Sequence, residues 1–284
     1  MPSNERHLVV SADTPLPSYS SPPVVEVVVG VAFRPIPQLT VVDLSAFWSE
    51  KLKDHFPKVQ QQPPYVPPVE AFGGPSLALP MVMPMAVPYP RLWFLTNDEQ
   101  ELVQVQRDYF ACNWRKVNPA SEYGRWPGRR KALVQWFEEF ASFVKGSGFG
   151  ELDITQCELT YIDHVPTSDV GGKGHDGLDR IVRLAGLSDS RLLGAIEQAT
   201  LFASYVIPDD SGRPLGRLHV DVQPGYRRED NAPIYVLSFT SRGQPDGPGF
   251  EGALRFLDRG RVWSVTAFAD LTTDVMQKHW GRHD

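Results

Sequence analysis

ELVQVQRDYFACNWRKV, residues 101–117, and, after a short Pro/Gly connection, RRKALVQWFEEFASFVKGSG, residues 129–148, are the stretch from which the fold can be read. In the second segment Leu133, Trp136, Phe137, Phe140 and Val144 fall at i, i+3, i+4, i+7 and i+11 and make one apolar stripe, the signature of an amphipathic helix. Arg129, Arg130, Lys131, Glu138 and Glu139 supply its polar side, Pro127 suits a helix start and Gly146 a C-terminal cap. The first segment reads as one long strand. Val103 and Val105 occupy one parity and Phe110, Cys112 and Trp114 the other, so a bulge or strong bend is expected near Arg107 and Asp108.

A chain of 284 residues exceeds the usual single-core size, which leaves two domains or one large duplicated domain open. Its 28 Lys+Arg against 34 Asp+Glu give a net charge of −6 and a pI near 5.7, which argues against a nucleic-acid binder held by bulk charge. Cys112 and Cys157 both sit in apolar strand contexts and read as reduced core residues; two cysteines alone make no zinc cage. The start of the chain has no basic run followed by an apolar one, so a cytoplasmic location is expected.

Residues 1–21, rich in Ser and Pro, read as a flexible N-terminal tail. VVEVVVGVAFRP, from Val24, is a β-branched run closed by proline and predicts a buried strand. A short helix is expected from Asp43, capped near Asp43 or Ser45, with Leu44, Phe47, Trp48 and Leu52 inward. Residues 57–90 hold ten prolines, which excludes regular helix and central strand over most of that span. Met81, Met83 and Met85 alternate and would share one face of an extended strap or lid. RLWFL, from Arg91, predicts a strand in a hairpin with the opening stretch.

Farther on, LDITQCELTYIDHVP, LFASYVI, RLHVDVQ and IYVLSFTS read as strands. LDRIVRLAGL and RLLGAIEQA read as helices. A long helix through Phe250, Leu254, Leu257, Val265 and Phe268, with Gly260 as its weak point, and a last one capped by Thr272 or Thr273 complete the chain.

VVEVVVGVAFRP and QCELTYIDHVP each carry a lone Glu, at 26 and 158, upstream of a closing proline, and each opens a series of strands that ends in a long amphipathic helix. The expected fold is therefore α+β: two structurally similar halves, 22–150 with the Pro-rich insertion 57–90 and 151–284, each a mostly antiparallel sheet backed by a long helix, with one continuous sheet as an option.

Four stretches, PPVVEVVVGVAF from Pro22, RDYFACNWRKV from Arg107, ELTYID from Glu158 and the ending SVTAFADLTTDVMQKHWGR, together resemble a sporadically distributed family of bacterial proteins of unknown function. The resemblance covers nearly the whole chain from Pro22. It implies an accessory role and brings no catalytic residue with it.

The candidate chemistry lies on the outward rows of the expected strands. Glu26, Asn113, Arg115, Glu158, His219 and Asp221 would share one sheet surface, with Glu26 set opposite Glu158 if the halves are related. Carboxylates beside a histidine can serve acid–base chemistry, yet the same alternation is what a solvated antiparallel sheet face shows. His219 and Asp221, two apart on one strand, lack a third ligand by spacing, so no metal is expected, and no cofactor motif is present: GSGFG follows a helix, and GGKGHDG lacks the phosphate-loop spacing.

Two functions stay open, a non-catalytic binding or accessory protein and a hydrolase with carboxylate and His groups in a cleft between halves. A protein or small-molecule partner, or a second copy in a homodimer, suits the first; membrane insertion is not expected, and Arg125, Trp126, Arg129 and Arg130 are the one aromatic-basic cluster that single-stranded nucleic acid could use.

Overall fold

The computed structural model describes residues 15–72, 89–183 and 196–283. The β-branched run from Val24 becomes β2 (Val24–Phe33), with Val27, Val29 and Val31 on one face and fully buried. The chain continues through α1 (Val41–Phe47), a π turn at Trp48–Leu52, β3 (Lys58–Gln62), β4 (Arg91–Leu95), β5 (Glu101–Gln106), β6 (Tyr109–Arg115) and α2 (Arg125–Gly146). β7 (Ile154–Pro166), the single turn α3 (Leu178–Ile181), β8 (Leu201–Pro208), β9 (Pro214–Tyr226), β10 (Pro233–Gly243), α4 (Gly249–Leu271) and α5 (Asp274–His279) follow. Within the segment expected as a tail, β1 (Ser18–Tyr19) pairs with β11 (Arg282–His283), and Tyr19 packs edge-on against Phe268 and Trp280.

The protein is mixed α+β. One nine-stranded sheet runs β3-β4-β5-β6-β2-β7-β10-β9-β8, each pair antiparallel, with β2 and β7 adjacent at its centre and Val28 opposite Thr160. Outward from β2 come β6, β5, β4 and the edge strand β3; outward from β7 come β10, β9 and β8. α2 packs over β6 and β2, and α4 over β10 and β7, so the long helices cover one face. The apolar stripe of α2 is buried as its spacing requires: Phe140 alone meets Phe33, Phe47 and Phe110 at ring-centroid distances of 5.9, 5.2 and 5.3 Å.

Residues 101–117 are not one bent strand. The chain reverses across Arg107 and Asp108, Gln106 pairs with Tyr109, and Val103 and Val105 stand opposite Cys112 and Phe110. The parity switch that suggested a bulge is the signature of this tight hairpin, which returns the apolar row to the same face. The cap of α1 is Thr40, whose backbone N–H donates to Asp43 Oδ2 at 2.8 Å in a capping box, so Asp43 is the third helical residue rather than the cap.

Gly260 lets α4 approach the sheet closely: a Cβ there would lie 2.8 Å from Ser241 Cβ, and Ser241 Oγ donates to the Gly260 carbonyl at 2.9 Å. Within the described part of LDRIVRLAGL, residues 178–183, the helix is α3 alone, because Val182 turns extended and bridges Thr272. The alternating methionines, and most of RLLGAIEQA, lie outside the described residues.

Candidate functional site

Register alone puts Glu26, Asn113, Arg115, Glu158, His219 and Asp221 on the sheet face opposite the helices, since the buried valines of β2 and their partners Trp114, Cys112, Tyr161 and Leu159 take the other parity. This face is not simply solvated. Residues 63–72, the described end of the Pro-rich insertion, lie across it as an extended strap. Two glutamines grip the strap backbone as one peptide would grip another. Gln106 accepts from the Tyr65 N–H at 2.9 Å and donates to the Tyr65 carbonyl at 2.6 Å, while Gln156 accepts from the Glu70 N–H at 3.1 Å and donates to the Pro68 carbonyl.

The strap delivers one carboxylate into a basic notch. Glu70 accepts from Arg217 Nη1 at 2.6 Å and from His219 Nε2 at 2.6 Å, and Arg242 Nη1 stands 3.5 Å away. Its side chain is only 6% exposed. Burial pushes the Glu70 carboxyl up, but the hydrogen bonds from His219 and Arg217 and the charges of His219 and Arg242 outweigh it and hold the group below its ordinary range. Arg217 also donates to the Ala71 carbonyl at 2.8 Å and lies 4.4 Å from the centre of the Phe72 ring. His219 is set by a second contact, 3.0 Å from Nδ1 to Ser204 Oγ.

Glu158 belongs to the same cluster: Arg242 Nε donates to it at 2.7 Å and the Tyr65 hydroxyl at 3.3 Å. Burial, with Glu158 nearby, pushes the Tyr65 hydroxyl well up, so it stays a donor.

The other candidates do not join this cluster. Glu26 stands opposite Arg115 and Ile162 and Glu158 opposite Gly30 and Arg242, so the two glutamates do not face one another. In antiparallel pairing centred on Val28 and Thr160, residues at matching positions of two copies land two places to either side rather than opposite. Glu26 instead accepts from Asn113 at 2.6 Å, Asn113 from Gln104 at 2.7 Å, and Gln104 from Arg91 and Trp93, both at 2.9 Å, a relay across four strands. Burial raises the Glu26 carboxyl despite Asn113 and Arg115. Arg115 donates to the Glu99 carbonyl at 3.1 Å, and Asp221 accepts from Gln223 at 3.0 Å, its one side-chain partner among the described residues. Glu26 and Arg115 border an open groove of about 1500 Å³.

The aromatic-basic cluster is engaged within the chain. Arg125 donates to the Tyr19 carbonyl at 3.0 Å, Trp126 and Arg130 to Asp258 at 2.8 and 3.1 Å, and Arg129 to Glu101 at 2.7 Å, so each of its four members has a partner within the chain. Among the described residues no cluster of three or more His, Cys, Asp or Glu is set to hold a metal, and no helix is long and apolar enough to cross a membrane.

Glu70 is the residue that sequence reasoning missed. Its signal was available: it is the one charged residue between Lys58 and Arg91. No known protein family, curated protein or solved structure matches the chain.

Proposed function

We propose that this is a non-catalytic binding protein whose strap-covered sheet face reads an extended, proline-rich segment carrying one carboxylate. The observation that supports this most is Glu70 in its notch of Arg217, His219 and Arg242, with Gln106 and Gln156 holding the backbone on the way. In the chain as it stands residues 63–72 fill that role in cis, and a partner segment of the same chemistry would replace them in trans. An accessory role, as the family resemblance implies, suits a protein of this kind.

The strand order on either side of the β2–β7 seam, matched but for the extra edge strand β3, supports reading the molecule as two copies of one unit, with Glu26 opposite Arg115 and Glu158 opposite Arg242 as counterparts. In that reading the second copy carries the notch and the first the Asn113–Gln104 relay. The hydrolase reading draws less support, because Glu26 is held by Asn113 and Glu158 by Arg242, rather than either by a second carboxylate or by His219.

The test is fluorescence anisotropy with a labelled peptide of residues 61–72, QQPPYVPPVEAF, titrated with the Glu70→Gln protein, whose own strap is weakened. The account expects saturable binding, at least tenfold tighter than for the same peptide with its glutamate replaced by glutamine, and weaker binding to the wild type, where the tethered strap competes at high effective concentration. Equal affinity for the two peptides, or no binding of either, contradicts it.

A further inference from the structure

A second site lies on the other face of the sheet. A cavity of about 190 Å³ opens between β7, the segment 16–24, the start of α2 and α4, with Tyr19, Trp126, Tyr161, Phe239 and Phe268 among its walls. Asp163 of β7 lines it. This residue is 4% exposed, shares the core parity of Leu159 and Tyr161, stands opposite Leu237 and Val24, and has no hydrogen bond or ion pair with any described residue. An unpaired carboxyl at a position where an apolar side chain would pack destabilises the fold, and a ligand that satisfies it offsets that cost.

The geometry points to a small-molecule site for a flat, single-ring compound with an amidine-type edge, in which two adjacent nitrogens meet the two oxygens of Asp163 while the ring lies among the aromatic walls. An apolar cavity of about 150 Å³ accepts benzene, so this volume suits one six-membered ring and one polar substituent. The groups that face Asp163 across the cavity are Tyr19 on the N-terminal segment, Tyr123 and Arg125 at the start of α2, Tyr161 on β7 and Arg261 on α4. None of them is acidic, so among the described residues Asp163 is the only acid lining the cavity. Arg125 is already turned to Ser18 Oγ and the Tyr19 carbonyl, at 3.2 and 3.0 Å. Both sheet neighbours of Asp163, β2 and β10, present only apolar residues at this site, Val24 and Phe239.

Burial pushes the Asp163 carboxyl up to about 8, so at neutral pH it carries a proton in the free protein. Binding of an amidinium then releases that proton to solvent: the ligand keeps its charge, Asp163 becomes the carboxylate, and two N–H···O bonds form. Affinity must therefore rise about tenfold per pH unit up to the Asp163 midpoint and level off above it.

Calorimetric titration of the full chain with benzamidine, with toluene as the neutral ring, tests this. Expected are one site, release of about one proton at pH 7 read from buffers of different ionisation enthalpy, and the pH profile just given, with toluene binding independent of pH. The Asp163→Asn protein should lose tenfold or more in benzamidine affinity and keep its toluene affinity; if that variant does not fold, the wild-type proton release decides. No benzamidine binding, or binding without proton release, overturns the proposal.

Discussion

The two faces of the central sheet are built from alternate residues of the same strands, yet they are closed by different physics. On the helix face, α2 and α4 bury aromatic and aliphatic side chains such as Phe137, Phe140, Phe256 and Leu257, and that burial is contiguous and non-directional. On the other face ten residues of extended chain rest on point contacts: two glutamines, three basic groups and one tyrosine hydroxyl. Prolines remove backbone donors from the strap, so it cannot add a strand and depends on side chains of the sheet for its hydrogen bonds. The helix face cannot be uncovered without unfolding. On the proposed function the strap face would open without global unfolding, as a recognition surface requires.

The largest effect is expected on the helix side. Phe140→Ala should cost about 3–5 kcal/mol in urea unfolding, because a fully buried ring in contact with three others is removed. A loss below about 1 kcal/mol would mean that this face does not carry the stability.

Asp163 is the flaw in that face, and its effect should appear in the pH dependence of stability. Its folded-state midpoint near 8 lies above the value in the unfolded chain, so between about pH 4 and 8 the folded state holds the extra proton and stability falls as pH rises, levelling above 8. Asp163→Asn should abolish that fall and gain on the order of 5 kcal/mol near pH 8, about four pH units at ~1.4 kcal/mol each. An unchanged pH profile of thermal unfolding would show that Asp163 is already paired.

On the strap face, Glu70→Gln should weaken strap closure by about 2 kcal/mol, the size of a charged hydrogen bond, with little effect on global unfolding. Limited proteolysis within 61–72 reads this directly. The sign of its pH dependence is the reverse of that at Asp163: the Glu70 carboxyl is held low, so its contribution is complete at neutral pH and is lost as acid protonates it, and cleavage of the wild type should rise in acid while the variant's does not. The smallest effect is expected at Asp221, whose one hydrogen-bond partner among the described side chains is Gln223; Asp221→Ala should alter strap protection and stability by no more than about 0.5 kcal/mol.

These contrasts follow how the sequence can be read. The α2 stripe and the alternation of Leu218, Val220 and Val222 were legible because burial on one face imposes a period of 3.6 or 2. The hairpin at Arg107 and Asp108 was half legible: its parity switch was visible, but a bulge and a tight turn both produce one. The candidate residues share a sheet face that parity makes legible, whereas their partners are not legible, since the contact of Glu70 with Arg217 and His219 spans about 150 positions in a segment without period. Asp163 carried a signal that went unused, an acid at the core parity of Leu159, Tyr161 and Val165.

The account rests on the strap being separately removable, and amide hydrogen exchange tests that most directly. The Tyr65 and Glu70 amides, held by Gln106 and Gln156, should exchange through local opening far faster than the amides of β2, and should speed up further in Glu70→Gln while β2 is unchanged. If the strap amides exchange only at the rate of global unfolding, in step with β2, the strap is a fixed part of the core and the recognition face proposed here does not exist.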